Sequence, residues 1–257
     1  MTTTLNAGLH MTPDHRYYFG EQGPFPSVTT ILGVMDKPAL VGWAKRTVAE
    51  FAVEKAPELV AMIADKGTQE TVRYLAALPD YQRDAAATLG SSVHLLADMA
   101  SRGAESDAVA FEVPEATQPY LAAFRGFLGH YSASSIVSSE KAVISFGDSY
   151  AGTYDLLMLI EGELWLVDIK TSKGIYAETG LQLIAYGYAE HIMLPNDPTL
   201  YAMPKVAHYG VLHLRPDKYP KEGWRLVEYV VGERDYVAFL AARELYGWKQ
   251  EGRFSNL

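Results

Sequence analysis

Apolar residues recur at helical spacing through the first half of the chain, and shorter apolar runs alternate with helical segments in the second half. This pattern predicts an extended or hairpin start at 17–26, then helices at 37–56, 58–78, 80–102 and 114–130. Strands are predicted at 136–146, 154–160, 164–170, 205–214 and 224–231, with helices at 178–193 and 235–249. The polar, acidic stretch at 103–115 predicts an exposed loop or lid.

This order of elements predicts an α/β fold with a central mixed sheet flanked by helices. Residues 1–130 are expected to form a mainly helical subdomain, and residues 131–257 are expected to form the core that contains the sheet. No second independent domain is evident, so the two parts are expected to form one structural unit.

Glu161-Gly162 separates two of the predicted strands and is typical of a tight turn. A two-residue loop there sets a register in which Asp155 lies directly opposite Asp168, with Cβ atoms roughly 4.5–5.5 Å apart. Such like charges repel, and a divalent cation is the natural group to offset them. Lys170 shares a face with Asp168 because side chains alternate along a strand. The alternative is an ordinary exposed hairpin, and a slip of one residue would separate the aspartates.

Three weaker signals surround this hairpin. His94 lies in the first turns of a predicted helix, and Glu140 lies in a strand-like run upstream of the hairpin. Gln182 and Tyr186 are four residues apart, so they share a helix face. Taken singly, a histidine on a helix or a Gln/Tyr pair is more often structural than functional.

Taken in order, these residues resemble the RecB-type nucleases of the PD-(D/E)XK superfamily. That group includes CRISPR-associated exonucleases, the nuclease domains of bacterial recombination helicases and many phage exonucleases. Its pattern is a helical His, an upstream Glu, an Asp after Gly-x-x, then (D/E)-x-K and Q-x-x-x-Y. The matching positions are His94, Glu140, Asp155, Asp168 with Lys170, and Gln182 with Tyr186. The segment at 25–32 is also similar to phage and mitochondrial members, and the resemblance extends from about residue 26 to about residue 188.

The resemblance implies a restriction-endonuclease-like core that binds Mg²⁺ or Mn²⁺. Asp155 and Asp168 offer the oxygen ligands that these hard cations prefer. The resemblance adds His94 and the backbone carbonyl of Ile169 as ligands, and an imidazole ligand favours Mn²⁺. It also implies that Glu140 is a ligand to a second metal or supports the first.

Three further side chains have expected roles, that of Lys170 from its charge and those of Gln182 and Tyr186 from the resemblance. Lys170 is expected to stay charged beside the carboxylates, to orient the attacking water and to stabilise developing charge on the phosphate. Gln182 and Tyr186 are expected to position the substrate. The predicted reaction is phosphodiester hydrolysis, with no covalent enzyme intermediate.

The 257 residues include no cysteine. CRISPR-associated members and several helicase-nucleases hold an iron–sulfur cluster with four cysteines, and this chain cannot do so. This departure favours the cluster-free phage or mitochondrial-like branch of the family. It also excludes disulfides and cysteine zinc sites.

The formal net charge of −9 is the main objection to a DNA-binding enzyme. Binding depends on the local field, however, and Lys37, Lys45 and Arg46 cluster on the first predicted helix. Lys173, just beyond the strand that carries Lys170, is a further candidate DNA-binding residue. The overall charge argues against a wide duplex grip and favours a narrow channel for a strand end. For these basic residues the alternative is an ordinary solvated face.

These observations predict a metal-dependent DNA exonuclease acting on single-stranded or frayed ends. Its expected role is phage or bacterial recombination, repair or replication, with proteins of those processes as candidate partners. The alternatives are a structure-specific endonuclease, a catalytically silent DNA-end-binding module and an RNA-directed nuclease.

No apolar run approaches the ~20 residues that span a membrane, and the start of the chain is polar. The expected location is therefore the cytoplasm, the host's if the protein is phage-encoded.

Overall fold

The computed structural model describes residues 10–12, 17–20, 23–101, 114–132, 135–194, 197 and 199–251. Within these ranges the protein is α/β, with a mixed sheet of seven strands flanked by helices, as predicted. The loop or lid predicted at 103–115 lies outside the described residues, except for its last two positions.

The secondary structure of the described residues follows in chain order. The helices are α1 (Val28–Leu32), α2 (Pro38–Glu54), α3 (Ala56–Lys66), α4 (Thr68–Ser101), α5 (Gln118–Tyr131), α6 (Glu178–Gly187) and α7 (Glu233–Gln250). The strands are β1 (His10–Met11), β2 (Tyr17–Gly20), β3 (Gly23–Pro26), β4 (Ile136–Ser145), β5 (Tyr150–Ile160), β6 (Glu163–Lys170), β7 (His191–Met193), β8 (Leu200–Ala202), β9 (His208–Leu214) and β10 (Trp224–Tyr229).

The large sheet has the strand order β10-β9-β6-β5-β4-β7-β8. Among the described strands, β6 and β9 alone are parallel neighbours, and the connection between them contains α6. The central strands β5 and β6 carry buried apolar side chains along most of their length, including Leu157, Leu166 and Val167. Strands β1, β2 and β3 form a separate three-stranded sheet, which confirms the predicted hairpin start.

The register predicted for the β5–β6 hairpin is confirmed. Ile160 pairs with Glu163, and the antiparallel ladder extends to the pair Leu156–Val167. The two turn residues both have positive φ, 53° at Glu161 and 85° at Gly162, as a two-residue hairpin turn that matches strand twist requires. Continued by one step beyond the paired residues, this register sets Asp155 opposite Asp168.

Two predicted helix boundaries are wrong. The helix predicted at 178–193 ends at Gly187, and residues 191–193 form β7, which pairs with β4. A short apolar run fits a strand as well as a helix, so periodicity alone does not separate them. The break predicted near Pro79 is also wrong, because α4 continues through that proline. The preceding helix instead ends at Gly67, whose φ is +81°.

The chain divides into two compact units, which differ from the predicted division near residue 130. One unit is Asp36–Ser91, and the other joins Met1–Met35 with Ser92–Leu257. The last turns of α4, from residue 92 onward, therefore belong to the unit that contains the sheet. Among the described residues, no helix has both the length and the apolarity needed to cross a membrane.

Gly152 on β5 is expected to tolerate no side chain. A Cβ there would lie 2.4 Å from Cε1 of Tyr186, whose ring is buried beneath the sheet. Gly152→Ala should therefore lower the free energy of unfolding in urea by about 1–3 kcal/mol through overpacking. Gly129→Ala on α5, where a Cβ would meet nothing within 4 Å, is the control and should be neutral or stabilising. A Gly152→Ala protein as stable as wild type would contradict this packing.

Candidate metal centre

Five elements of the sheet unit converge on one cluster of polar side chains. The end of α4 brings His94, β4 brings Glu140, and β5 brings Asp155. Strand β6 adds Asp168 and Lys170 beside Asp155, and α6 adds Gln182. All six of these residues were predicted as site residues.

His94, Glu140 and Asp155 form the centre of the cluster. The Nδ1 atom of His94 lies 3.3 Å from Oδ1 of Asp155 and 3.5 Å from Oε1 of Glu140. One ligand atom from each residue lies within 4.8 Å of the others. The side chain of Asp155 is 9% exposed, whereas those of His94 and Glu140 are about 30% exposed. The triad is thus anchored inside the protein and open to solvent on one side.

Glu140 has an unusual backbone. Its neighbours in β4 pair regularly with β5, Ser139 with Leu156 and Lys141 with Tyr154, so Glu140 lies opposite Asp155. Its φ is +47°, in the left-handed region that a non-glycine residue rarely adopts. Such strain costs of order 1–3 kcal/mol and clusters at functional sites.

Asp168 and Lys170 lie beside the triad on β6. The Nζ atom of Lys170 donates to Oδ1 of Asp168 at 2.9 Å and lies 2.7 Å from Oδ2. Oδ2 nevertheless has no partner with hydrogen-bond geometry among the described residues, although it is fully buried. Of the two predicted aspartate ligands, Asp155 belongs to the triad, while Asp168 lies next to it and is ion-paired with Lys170. Ligation by Asp168 stays a prediction.

Gln182 and Tyr186 extend the cluster below the surface. Nζ of Lys170 donates to Oε1 of Gln182 at 3.4 Å, and Nε2 of Gln182 donates to the Tyr186 hydroxyl at 3.1 Å. Tyr186 is only 4% exposed, and its hydroxyl holds the Gln182 amide. Its expected role in positioning the substrate, together with Gln182, stays a prediction.

Mutual attraction shifts the titration of the triad. The Asp155 carboxylate raises the pKa of His94 to about 11, with burial opposing the shift and Glu140 adding to it. Burial alone would raise the pKa of Asp155, but the charge of His94, with help from Lys170 and the Ile169 N–H, lowers it. Burial also raises the pKa of Glu140. A proton on His94 thus supplies positive charge between two carboxylates.

The pKa values of the neighbouring pair on β6 are both raised. Burial, reinforced by the charge of Asp155, raises the pKa of Asp168 to about 6 despite the attraction of Lys170. Burial opposes the charged form of Lys170, but Asp168 and Asp155 more than offset this, so the lysine pKa is raised. Lys170 is therefore an ammonium at neutral pH and not a general base.

The residues present fit a divalent cation. One imidazole nitrogen and several carboxylate oxygens form a donor set suited to Mn²⁺ and acceptable to Mg²⁺. Oδ2 of Asp168, buried and 2.7 Å from the Lys170 ammonium, adds a further carboxylate oxygen beside the triad. A cation there would replace the proton of His94 as the charge that offsets the carboxylates.

The other predicted site residues have more distant or separate positions. The backbone N–H of Ile169 donates to Oδ2 of Asp155 at 2.5 Å, while ligation by its carbonyl stays a prediction. Lys173 is exposed on the loop after β6. Lys37, Lys45 and Arg46 belong to the unit Asp36–Ser91.

Two residues that the sequence did not suggest also reach the cluster. Asp98 is one turn beyond His94 on α4, and its Oδ1 accepts a hydrogen bond from Ser139 at 2.6 Å. Spacing of four residues places Asp98 on the helix face of His94, which is the one signal that could have identified it. Nothing in the sequence pointed to Ser139.

The chain matches no protein-family model and no curated protein. The resemblance to RecB-type nucleases therefore stays a prediction, and the case for function depends on the geometry of the cluster.

The raised pKa of His94 predicts a pH-dependent stability of the metal-free protein. The pKa is about 6.5 in an unfolded chain and about 11 in the fold, so folding holds the proton more tightly. This contribution is complete below about pH 6.5 and is lost as the pH rises towards 11. In EDTA, the Tm of wild type should thus fall between about pH 7 and about pH 9.

His94→Gln is the matching variant for this prediction, since glutamine keeps polarity and does not titrate. Its Tm should decline less over the same range, measured in parallel by circular dichroism. Asp168 titrates at lower pH and does not contribute to the difference. Parallel curves for the two proteins would contradict the assignment of the shift to His94.

Proposed function

We propose that this protein is a metal-dependent nuclease that hydrolyses phosphodiester bonds at DNA ends. One observation carries the proposal: the ligand atoms of His94, Glu140 and Asp155 lie within 4.8 Å of one another, beside the Asp168–Lys170 pair. The order of these residues along the chain, which resembles the RecB-type nucleases, supports it independently.

The metal ligands and Lys170 have different parts in the proposed phosphodiester hydrolysis. A divalent cation held by His94, Glu140 and Asp155 would supply Lewis-acid polarisation of a phosphoryl oxygen and would lower the pKa of water. Lys170 is positioned by Asp168 and Gln182 to donate to a phosphate oxygen as negative charge develops there. Water forms the new bond to phosphorus, and the bond from phosphorus to the departing nucleotide breaks.

A DNA strand end is the substrate that the charges favour. The net charge of −9 does not suit a long, sequence-independent grip on duplex phosphates. A substrate engaged over a few nucleotides needs fewer cationic contacts, so an exonuclease acting on single-stranded or frayed ends fits better than a duplex-encircling enzyme. Cellular roles in recombination, repair or replication follow only from the family resemblance.

The proposal is tested with end-labelled single-stranded DNA, linear duplex and covalently closed circles, each with Mg²⁺, Mn²⁺ or EDTA. The expected result is metal-dependent loss of linear DNA while circles stay intact. Cut circles would replace the exonuclease with an endonuclease. Cleavage confined to an RNA strand would change the substrate, and DNA binding without cleavage in either metal would leave an end-binding module.

Lys37, Lys45 and Arg46 are expected to contact DNA phosphates. In their unit, Lys55, Arg73 and Arg83 all form ion pairs with neighbouring acids. Among its described residues, the structure gives no ion pair for Lys37, Lys45 or Arg46. Replacing those three with alanine should weaken binding to single-stranded DNA and reduce the slope of log K against log salt by about 2. Alanine at the three paired residues is the control, and an equal loss in both variants would refute this assignment.

A further inference from the structure

Helix α4 and strand β4 are joined by a buried hydrogen bond next to the metal centre. Oγ of Ser139 donates to Oδ1 of Asp98 at 2.6 Å, and Oγ of Ser101 donates to Oγ of Ser139 at 2.8 Å. Asp98 and Ser139 are 7% and 3% exposed. A short bond from a hydroxyl to a buried carboxylate is among the stronger hydrogen bonds in proteins.

This bond lies directly beside two of the three candidate ligands. Asp98 follows His94 by one helical turn, and Ser139 immediately precedes Glu140. Besides the bonds made by Ser139, α4 and β4 are also linked by the contact between His94 and Glu140, whose atoms are 3.5 Å apart. The bond between Asp98 and Ser139 is shorter and more deeply buried than this contact.

The hydrogen bond between Asp98 and Ser139 also supports the backbone of Glu140. Its φ of +47° persists only if the surrounding structure holds it in place. Ser139, the residue before it, is held by Asp98 and by regular pairing with Leu156 on β5. The direction of the Glu140 carboxylate is thus set by a residue anchored to the helix of His94.

We propose that Asp98 and Ser139 are a positioning pair that fixes the separation of His94 and Glu140 and so sets the affinity of the site for a divalent cation. The proposal rests on the metal-dependent function proposed above. Neither residue touches the substrate. Both act through the ligands, and loss of such supporting contacts typically weakens metal binding about 10- to 100-fold.

The test is calorimetric titration of the full chain with Mn²⁺ alone, which needs no catalysis. Asp98→Ala and Ser139→Ala should each bind Mn²⁺ about 10-fold more weakly than wild type. The double variant should be no weaker than the weaker single variant, because both changes remove the same link. Asp98→Asn keeps an oxygen acceptor for Ser139 and should lose less affinity than Asp98→Ala.

Ser145→Ala is the matched control, since Ser145 is an equally buried serine at the far end of β4. It should bind Mn²⁺ as wild type does. Equal Mn²⁺ affinity in wild type and Ser139→Ala, or strictly additive losses in the double variant, would overturn the positioning pair while leaving the metal centre intact. Absence of Mn²⁺ binding by folded wild type would overturn both proposals. If Asp98→Ala fails to fold, Ser139→Ala and Asp98→Asn decide the question.

Discussion

Asp155→Asn is expected to fold, to lose Mn²⁺ binding by at least about 100-fold and to cleave no DNA above background. Asparagine keeps an oxygen to accept the Ile169 N–H, so the hydrogen bond between β5 and β6 at the open end of the hairpin is retained. It removes the negative charge that faces His94 at 3.3 Å, and with it the strongest reason for a cation to enter the site.

The measurements for Asp155→Asn are calorimetric Mn²⁺ titration and cleavage of labelled DNA, with circular dichroism to verify folding. Asp148→Asn is the control, because Asp148 is a partly buried carboxylate near β5 that accepts a hydrogen bond from Tyr236 at 2.6 Å, outside the cluster. Wild-type Mn²⁺ affinity in folded Asp155→Asn would remove this aspartate from the metal centre.

Lys170→Met should separate metal binding from catalysis. The ammonium contacts Asp168 and Gln182 and is not a ligand, so its loss leaves every candidate ligand in place. We expect Mn²⁺ binding to persist and the rate constant for cleavage at saturating DNA to fall about 10²- to 10³-fold, since a donor to the transition state is removed.

A single-turnover assay at saturating enzyme measures the effect of Lys170→Met on the chemical step. Lys249→Met, an exposed position near the end of α7, serves as the control and should cleave like wild type. A Lys170→Met enzyme with an unchanged single-turnover rate would exclude a role for this ammonium in the reaction.

The hairpin at the heart of the site could be predicted from sequence because its determinants are local. Turn length fixes register, and the alternation of side chains then fixes which residues share a face. The positions of Asp155, Asp168 and Lys170 on neighbouring strands follow from those two rules. The exact ligand grouping does not, because it depends on residues from α4 and β4 that are far away in sequence.

The features that could not be predicted depend on tertiary packing. The left-handed backbone of Glu140 has no signal in its residue type, since glutamate does not favour positive φ. Helical spacing placed Gln182 and Tyr186 on one face but did not predict how deeply each is buried, because the tyrosine ring packs against Gly152 of a strand distant in sequence. Asp98 has the character of an ordinary helix residue in the sequence, and its role follows only from its hydrogen bond with Ser139.

The most direct test of the central claim is cleavage of end-labelled single-stranded DNA by wild type and by Asp168→Asn, each with Mn²⁺ and with EDTA. Asparagine preserves the shape of the buried side chain while removing the charge that holds Lys170. The metal-centre account predicts cleavage by wild type in Mn²⁺ alone and none by the variant in either condition. Cleavage by wild type in EDTA, or equal cleavage by Asp168→Asn in Mn²⁺, would contradict it.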